Sequence, residues 1–291
     1  MTDVAGKTIF ITGGAQGIGL GMARAFALAG ADLALADIDA DALDAARHEL
    51  SATARTETFP LDVRDRDAFA QAADDAEARL GPVTVLCNNA GVLGTASVTD
   101  PSPAVWDHIL GTDLGGVFNG VSVFLPRMIA RGGPGHVVNT ASTAGVRGGR
   151  LFEYSAAKAA VIALSESLHA DPDLARLGVR TTVLCPGGVR TRIIDHGIAG
   201  MPGGTSERQR TRIDDERMRT VVEQCGLAPE DVGELVLTAV REDRFYVFTD
   251  RSAQADLQER ASAMLAALPE ESEHDRRLAE ARRRLGPAQD A

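Results

Sequence analysis

Tyr154 and Lys158 stand four residues apart, a spacing that puts both side chains on one face of a helix. The chain holds two tyrosines and two lysines, so this offset has a chance frequency of about 1%. An ammonium beside a phenol favours the phenolate and lowers its pKa, which makes Tyr154 a usable base near neutral pH. Ser142 lies earlier, at the end of an apolar run, where its hydroxyl could hold a substrate oxygen within hydrogen-bonding reach of Tyr154. The chemistry of such a set is proton transfer at a hydroxyl or carbonyl. The competing reading is a surface Tyr, a solvated Lys and a strand-end Ser beside Thr143.

A second group suits a dinucleotide. Thr12-Gly13-Gly14-Ala15-Gln16-Gly17-Ile18-Gly19 follows an apolar run and opens a helical one. Glycines there let the backbone turn sharply and approach a pyrophosphate, and a helix N-terminus offers free N–H groups. The spacing is Gly-x3-Gly-x-Gly rather than Gly-x-Gly-x-x-Gly, and a purely structural turn is the competing reading. Asp37 ends the next apolar run, where a carboxylate accepts ribose hydroxyls and repels a 2′-phosphate. Asp39 is the better candidate for capping the helix that follows. Neither Ala15 nor Gln16 is basic, and residues 36–40 hold no Arg or Lys, so the expected cofactor is NAD rather than NADP. Asp62-Val63 and Asn88-Asn89-Ala90-Gly91 also fall at run ends, where open α/β sheets bind ligands and where turns also form.

These residues need a scaffold. Strand-like runs span Thr8–Thr12, Asp32–Ile38, Glu57–Asp62, Val83–Asn88, His136–Ala141, Val179–Cys185 and Arg244–Thr249. Several are apolar throughout, as strands covered on both faces are. Helical stretches alternate with them at Ile18–Ala29, Ala40–Leu50, Arg66–Leu80, Ala104–Arg131 and Tyr154–His169, with Pro126 expected to kink or interrupt the fourth. That alternation predicts an α/β fold with a parallel sheet of about seven strands and helices on both faces. Residues 1–250 read as one domain, with the Gly-rich, charged stretch 190–228 as a substrate lid. Residues 251–291 read as a helical extension packed on it.

The composition agrees: 44% hydrophobic and 24% charged residues suit a globular chain. A net charge of −11 repels polyanions, so nucleic acid is not an expected partner. No run approaches the ~18 apolar residues of a membrane span, and Gly-Gly breaks up the N-terminal apolar stretch, so neither a membrane nor a signal peptide is expected. Three dispersed cysteines, Cys87, Cys185 and Cys225, suit a reducing cytoplasm. The six histidines lack metal-ligand spacing, so no metal site is expected.

Taken together, the sequence resembles the short-chain dehydrogenase/reductase family over about residues 5–250. The matching elements are Thr12-Gly13-x3-Gly17-Ile18-Gly19, Asn88-Asn89-Ala90-Gly91, Ser142, Tyr154-x3-Lys158 and Pro186-Gly187-Gly188-Val189-x-Thr191. The resemblance implies a Rossmann-type doubly wound sheet. It makes Tyr154 the general acid/base, Ser142 the group that orients the substrate oxygen, and Lys158 the residue that lowers the Tyr154 pKa and binds the nicotinamide ribose. It assigns cofactor binding to Gly13, Gln16, Gly17, Ile18, Gly19, Asp37, Asp62, Val63, Asn89, Ala90 and Gly91. Pro186, Gly187, Val189 and Thr191 would border the nicotinamide.

Asp113 departs from the pattern, standing where the family usually has an Asn that holds a water linking the catalytic Lys to solvent. A carboxylate accepts but does not donate unless protonated. Either the proton relay is modified, with Asp113 in the catalytic set, or a near-isostere is tolerated. The C-terminal end, with Leu125-Pro126-Arg127-Met128-Ile129-Ala130-Arg131, resembles the branch containing dehydrogenases of lignin-type benzylic alcohols. Arg147, Leu151 and Phe152 fall where that family lines its substrate pocket. The expected function is therefore an NAD-dependent oxidoreductase of a secondary alcohol or ketone, aromatic or bulky, working as a homodimer or homotetramer. The alternatives are an NADPH-dependent ketone reductase and a catalytically weak NAD-binding sensor or scaffold.

Overall fold

A computed structural model describes residues 2–94, 98–99, 101–146, 148, 151–202 and 216–285. The chain divides into two compact units, Met1–Ala253 and Gln254–Ala291. In the first, β1 (Thr8–Thr12), β2 (Asp32–Asp37), β3 (Thr56–Pro60), β4 (Val83–Asn88), β5 (Gly135–Thr140), β6 (Val179–Cys185) and β7 (Tyr246–Phe248) form one parallel sheet. Its order is β3-β2-β1-β4-β5-β6-β7. The order reverses between β1 and β4, and ligands bind at the carboxyl ends of strands beside such a switch point.

The helices are α1 (Gly17–Leu28), α2 (Ala40–Leu50), α3 (Arg66–Leu80), α4 (Pro103–Leu110), α5 (Gly116–Arg131), α6 (Phe152–Ala170), α7 (Pro172–Arg176), α8 (Ile193–Ala199), α9 (Glu216–Cys225) and α10 (Pro229–Glu242). The second unit contains α11 (Gln254–Ala266) and α12 (Glu273–Leu285). Asp39 and Asp65 start α2 and α3 by accepting the N–H groups of Ala42 and Ala68.

Strand alternation splits the core into two layers. Ile9, Ile11, Leu33 and Leu35 pack under Met22 and Phe26 of α1 and Val232, Val236 and Val240 of α10. Phe10 points to the other face, where it meets Phe69 and Phe124 at ring-centroid distances of 6.0 and 4.8 Å. Truncating such a buried ring costs ~3–5 kcal/mol. Between α1 and α10 the backbones touch: a Cβ on Gly21 would strike the Pro229 carbonyl, and one on Gly233 would strike the Gly21 carbonyl.

The helical run near the middle differs from expectation. It is not broken at Pro126, which α5 carries internally at the loss of one N–H. The irregularity lies at Gly111–Gly115, a single π turn between α4 and α5 in which the Gly116 N–H reaches the Gly111 carbonyl. Such turns insert one residue into the helical register and are frequent at functional sites. The stretch Pro103–Arg131, in which an 18-residue window reaches a mean hydropathy of 1.2, is also by length and composition apolar enough to cross a bilayer, contrary to the reading of the sequence. Its apolarity has a packing role here, since Val117, Phe124 and Met128 are buried in the core. β3 ends at Pro60, leaving Asp62 in the following loop, and β7 pairs over only three residues.

Candidate active site

Thr12 fastens the glycine turn to the neighbouring strand. Its hydroxyl accepts the N–H groups of Asn89 and Ala90 at 2.9 and 3.1 Å. The Asn89 amide in turn donates to the carbonyls of Thr12 and Gly13 at 3.1 and 3.2 Å. Gly13 and Gly17 have φ of +60° and +51°, which side chains other than glycine rarely adopt. A Cβ on Gly13 would lie 2.9 Å from Ala90 Cα, and one on Gly17 would lie 3.1 Å from Thr191 Cγ2. Gly19 presses against the Gly13 carbonyl. The turn is thus a cradle of bare backbone at the start of α1.

A cleft of about 770 Å³ runs from this cradle to Tyr154 and Lys158. Gly13, Gln16, Gly17, Ile18, Asp37, Asp62, Val63, Asn89, Ala90, Gly91, Pro186 and Thr191, all singled out in the sequence, line it. Gly19, Gly187, Val189, Asp113 and Ser142 are not among its lining residues. Gly187 abuts the Asp250 carboxylate, and Val189 is buried in a parallel bridge with Leu227. Arg147 lies outside the described residues, as do residues 203–215 of the expected lid.

At one end of the cleft, Asp37 Oδ2 accepts the Ala15 N–H and Oδ1 the Asp39 N–H, each at 3.2 Å. Burial pushes its carboxyl above the ordinary value while these N–H groups pull it down. Asp62 is engaged by Arg64, whose Nε and Nη2 grip both oxygens, Nη2 at 2.6 Å from Oδ2. Arg64 Nη1 also stands 3.3 Å from His108 Nδ1. Burial, then the Arg64 charge, push the His108 imidazole below its ordinary value. Sequence reasoning missed Arg64 and His108. The only sequence signal for Arg64 was its place two residues after Asp62.

At the other end, α6 begins at Phe152 and sets Tyr154 and Lys158 on its first turns. Lys158 is buried, donates from Nζ to the Thr140 carbonyl at 3.0 Å, and lies 5.6 Å from the centre of the Tyr154 ring. Asp113, buried on the π turn, places Oδ2 3.3 Å from Lys158 Nζ and accepts the Val92 N–H at Oδ1 at 2.8 Å. The contact with Lys158 is therefore direct and made by the Asp113 side chain. Gly91 keeps this corner open, since a Cβ there would sit 3.2 Å from Lys158 Nζ. Ser142 caps a short turn by accepting the Ala144 N–H at 3.1 Å, and its hydroxyl is in hydrogen-bonding reach of Tyr154.

The electrostatics of the trio follow from burial. Burial raises the Tyr154 phenol above its ordinary value; Lys158 and the Ser142 hydrogen bond lower it, and Asp113 raises it. The net direction is upward, opposite to the lowering expected from Lys158 alone. Lys158 itself is raised, because Asp113 and Tyr154 together outweigh burial. The Asp113 carboxyl is raised by burial against the pull of Lys158 and the Val92 N–H. A cationic Lys158 beside a phenol that gives up its proton only on the alkaline side is an arrangement for proton exchange with a bound hydroxyl or carbonyl.

Comparison with known proteins agrees with this geometry. A family model described as short chain dehydrogenase matches residues 7–197. A C alpha-dehydrogenase of Sphingobium sp. strain SYK-6 is 34% identical over 94% of this chain and 90% of its own length. A 1-deoxy-11-beta-hydroxypentalenate dehydrogenase of Streptomyces arenae is 36% identical over 87% of this chain and 86% of its own. A short chain dehydrogenase/reductase of Burkholderia phymatum, solved in complex with NAD, superimposes with a TM-score of 0.85 at 31% identity, over 94% of this chain and 99% of that one.

Proposed function

The chain belongs to the short-chain dehydrogenase/reductase family of oxidoreductases acting on alcohols and ketones, and from that premise we propose an NAD-dependent dehydrogenase of a bulky or aromatic secondary alcohol. The observation that carries the proposal is the buried Tyr154 and Lys158 pair, with Ser142 in hydrogen-bonding reach of Tyr154, in one cleft with a bare-backbone cradle and Asp37. The cradle fits a pyrophosphate, because any Cβ on Gly13 or Gly17 would meet strained backbone and a close neighbour. Asp37 favours a ribose diol over a 2′-phosphate. Arg64, which also lines the cleft, is already bound on both oxygens of Asp62. This argues against the NADPH-dependent alternative.

Gly13, Gly17 and Ile18 would hold the pyrophosphate, Asp37 the adenosine ribose, and Lys158 with Thr191 the nicotinamide half. When bound, NAD supplies the hydride acceptor. Tyr154 takes the hydroxyl proton of the substrate. Ser142 donates to the same oxygen as charge builds on it, and Lys158 holds Tyr154 ionisable. Leu93, Ile194 and Met201 pack around Tyr154 as an apolar wall, which suits a bulky hydrocarbon skeleton. The assembled trio weighs against a sensor without catalysis. Free thiols at Cys87, Cys185 and Cys225 fit a cytoplasmic setting, and a homodimer or homotetramer follows by analogy with the family.

The test is reduction of NAD by a panel of secondary alcohols, followed by nicotinamide absorbance. Turnover with NAD, weak turnover with NADP and none in Tyr154→Phe is the expected result. No turnover of any member would sink the proposal.

A further inference from the structure

Apart from Arg64, paired with Asp62, and Lys158, paired with Asp113, the charges along the cleft are segregated. Asp37, Asp39 and Asp62 lie toward the adenosine end. Near Tyr154 the wall carries Arg192 and His196, at helical spacing around the start of α8. Neither pairs with an acidic side chain among the described residues. Asp195 between them is engaged instead by Arg219 at 3.0 Å, and Asp113 is sealed under Lys158. Arg190, also in the wall, donates to the Gly226 carbonyl.

Position along the segment decides what the pair faces. Thr191 stands against the glycine turn, whereas Ile193 and Ile194 pack into the apolar cluster that contains Tyr154, Leu93 and Met201. The side chains of Arg192 and His196 therefore flank an apolar pocket on its solvent side. We propose that Arg192 and His196 form an anion-binding rim, and that the favoured substrate is a secondary alcohol or ketone on an apolar skeleton that also carries a carboxylate. The inference rests on the dehydrogenase reading above and narrows its substrate class. Against a net charge of −11, such a local cationic pair is suited to draw an anion to this end of the cleft. Arg supplies a planar fork matched to a carboxylate, and His donates an N–H in either protonation state.

The experiment uses the full chain with NAD and a matched pair of bulky secondary alcohols, one with a free carboxylate and one with its methyl ester. Wild type is expected to favour the acid by about tenfold or more in kcat/KM, in line with a charge-assisted hydrogen bond. Arg192→Gln is expected to remove most of that preference through the KM of the acid, and His196→Gln a smaller part. Equal kcat/KM for acid and ester in wild type overturns the inference while leaving the dehydrogenase reading intact. So does an Arg192→Gln that raises KM for NAD equally with both alcohols, which would assign Arg192 to the cofactor pyrophosphate. If neither alcohol is oxidised, the dehydrogenase reading itself fails. Binding of cyclohexanecarboxylate to the protein with NADH, read by nicotinamide fluorescence, then decides: affinity lost in Arg192→Gln supports the rim, and no binding to wild type overturns it.

Discussion

Lys158 Nζ and Asp113 Oδ2 stand 3.3 Å apart with almost no exposure of either side chain. An Asn at position 113 could not reproduce this corner. With its oxygen kept on the Val92 N–H, its amide hydrogens would face the Lys158 ammonium, and with the amide flipped they would face Val92 instead.

Asp113→Asn should therefore lower stability by about 3 kcal/mol, the low end for removing one partner of a buried ion pair, with the fold retained. Thermal unfolding checks this. Its effect on catalysis has a sign. Asp113 raises the Tyr154 phenol, so removing the charge lowers it and moves the alkaline-going limb of the oxidation pH–rate profile to lower pH. Loss of the same charge also lowers Lys158, whose shift is upward and which stays protonated at working pH. A limb that moved to higher pH would refute the assignment.

Tyr154→Phe keeps the ring in its apolar cluster and removes the proton acceptor. kcat should fall at least ~10²-fold, with binding of NAD retained. Turnover near that of wild type would move the base elsewhere.

Asp37→Ser combined with Ile38→Arg should shift preference from NAD toward NADP, measured as the ratio of kcat/KM values. Ile38 is exposed beside the cleft, so the new guanidinium has room to reach a phosphate. The change also removes the acceptor of the Ala15 and Asp39 N–H groups, so the double variant should lose some absolute activity. Equal use of NADP by wild type would contradict the argument from Asp37.

His136 is buried between β-strand neighbours, with Nε2 2.8 Å from Thr182 Oγ1 and Nδ1 3.3 Å from Thr2 Oγ1, and burial lowers its imidazole to about 4. In the unfolded chain it titrates near its ordinary value, so between about pH 6.5 and 4 the unfolded state binds the extra proton. Stability should fall as pH drops through that window, by up to roughly 3 kcal/mol from this group. Denaturant unfolding of wild type and His136→Gln should show the flatter profile in the variant. Parallel profiles would assign the acid sensitivity to other groups.

The parts of the site that were legible in the sequence are those set by local geometry. Four-residue spacing put Tyr154 and Lys158 on one helix face. The glycine turn announced itself because Gly13 and Gly17 meet a backbone demand that other residues resist. What stayed hidden depends on register and distant approach. The ion pair of Asp113 hangs on the π turn at Gly111–Gly115, which a period of 3.6 residues does not reveal. Arg64 and His108 meet across separate elements, and nothing in either neighbourhood names the other. Of the kink or interruption expected at Pro126, the interruption does not occur, since α5 runs on through it. The last strand was read too long: six residues suggested β7, but the strand itself spans only Tyr246–Phe248, although the Phe245 carbonyl still accepts the Val183 N–H.

The backbone contact of Gly21 with Gly233 and Pro229 bears on how the chain assembles as it is made. α1 follows directly on the cradle, yet it packs backbone to backbone on α10, close to the end of the sheet-bearing unit. At 5–20 residues per second, about 10–40 s separate the synthesis of the two partners. Throughout that interval Met22 and Phe26 lack part of their cover, and the nascent N-terminal half offers an apolar strip to chaperones or to other copies of itself. Chains stalled before residue 229 should be captured by hydrophobic-binding chaperones, while release past residue 242 closes the strip from within.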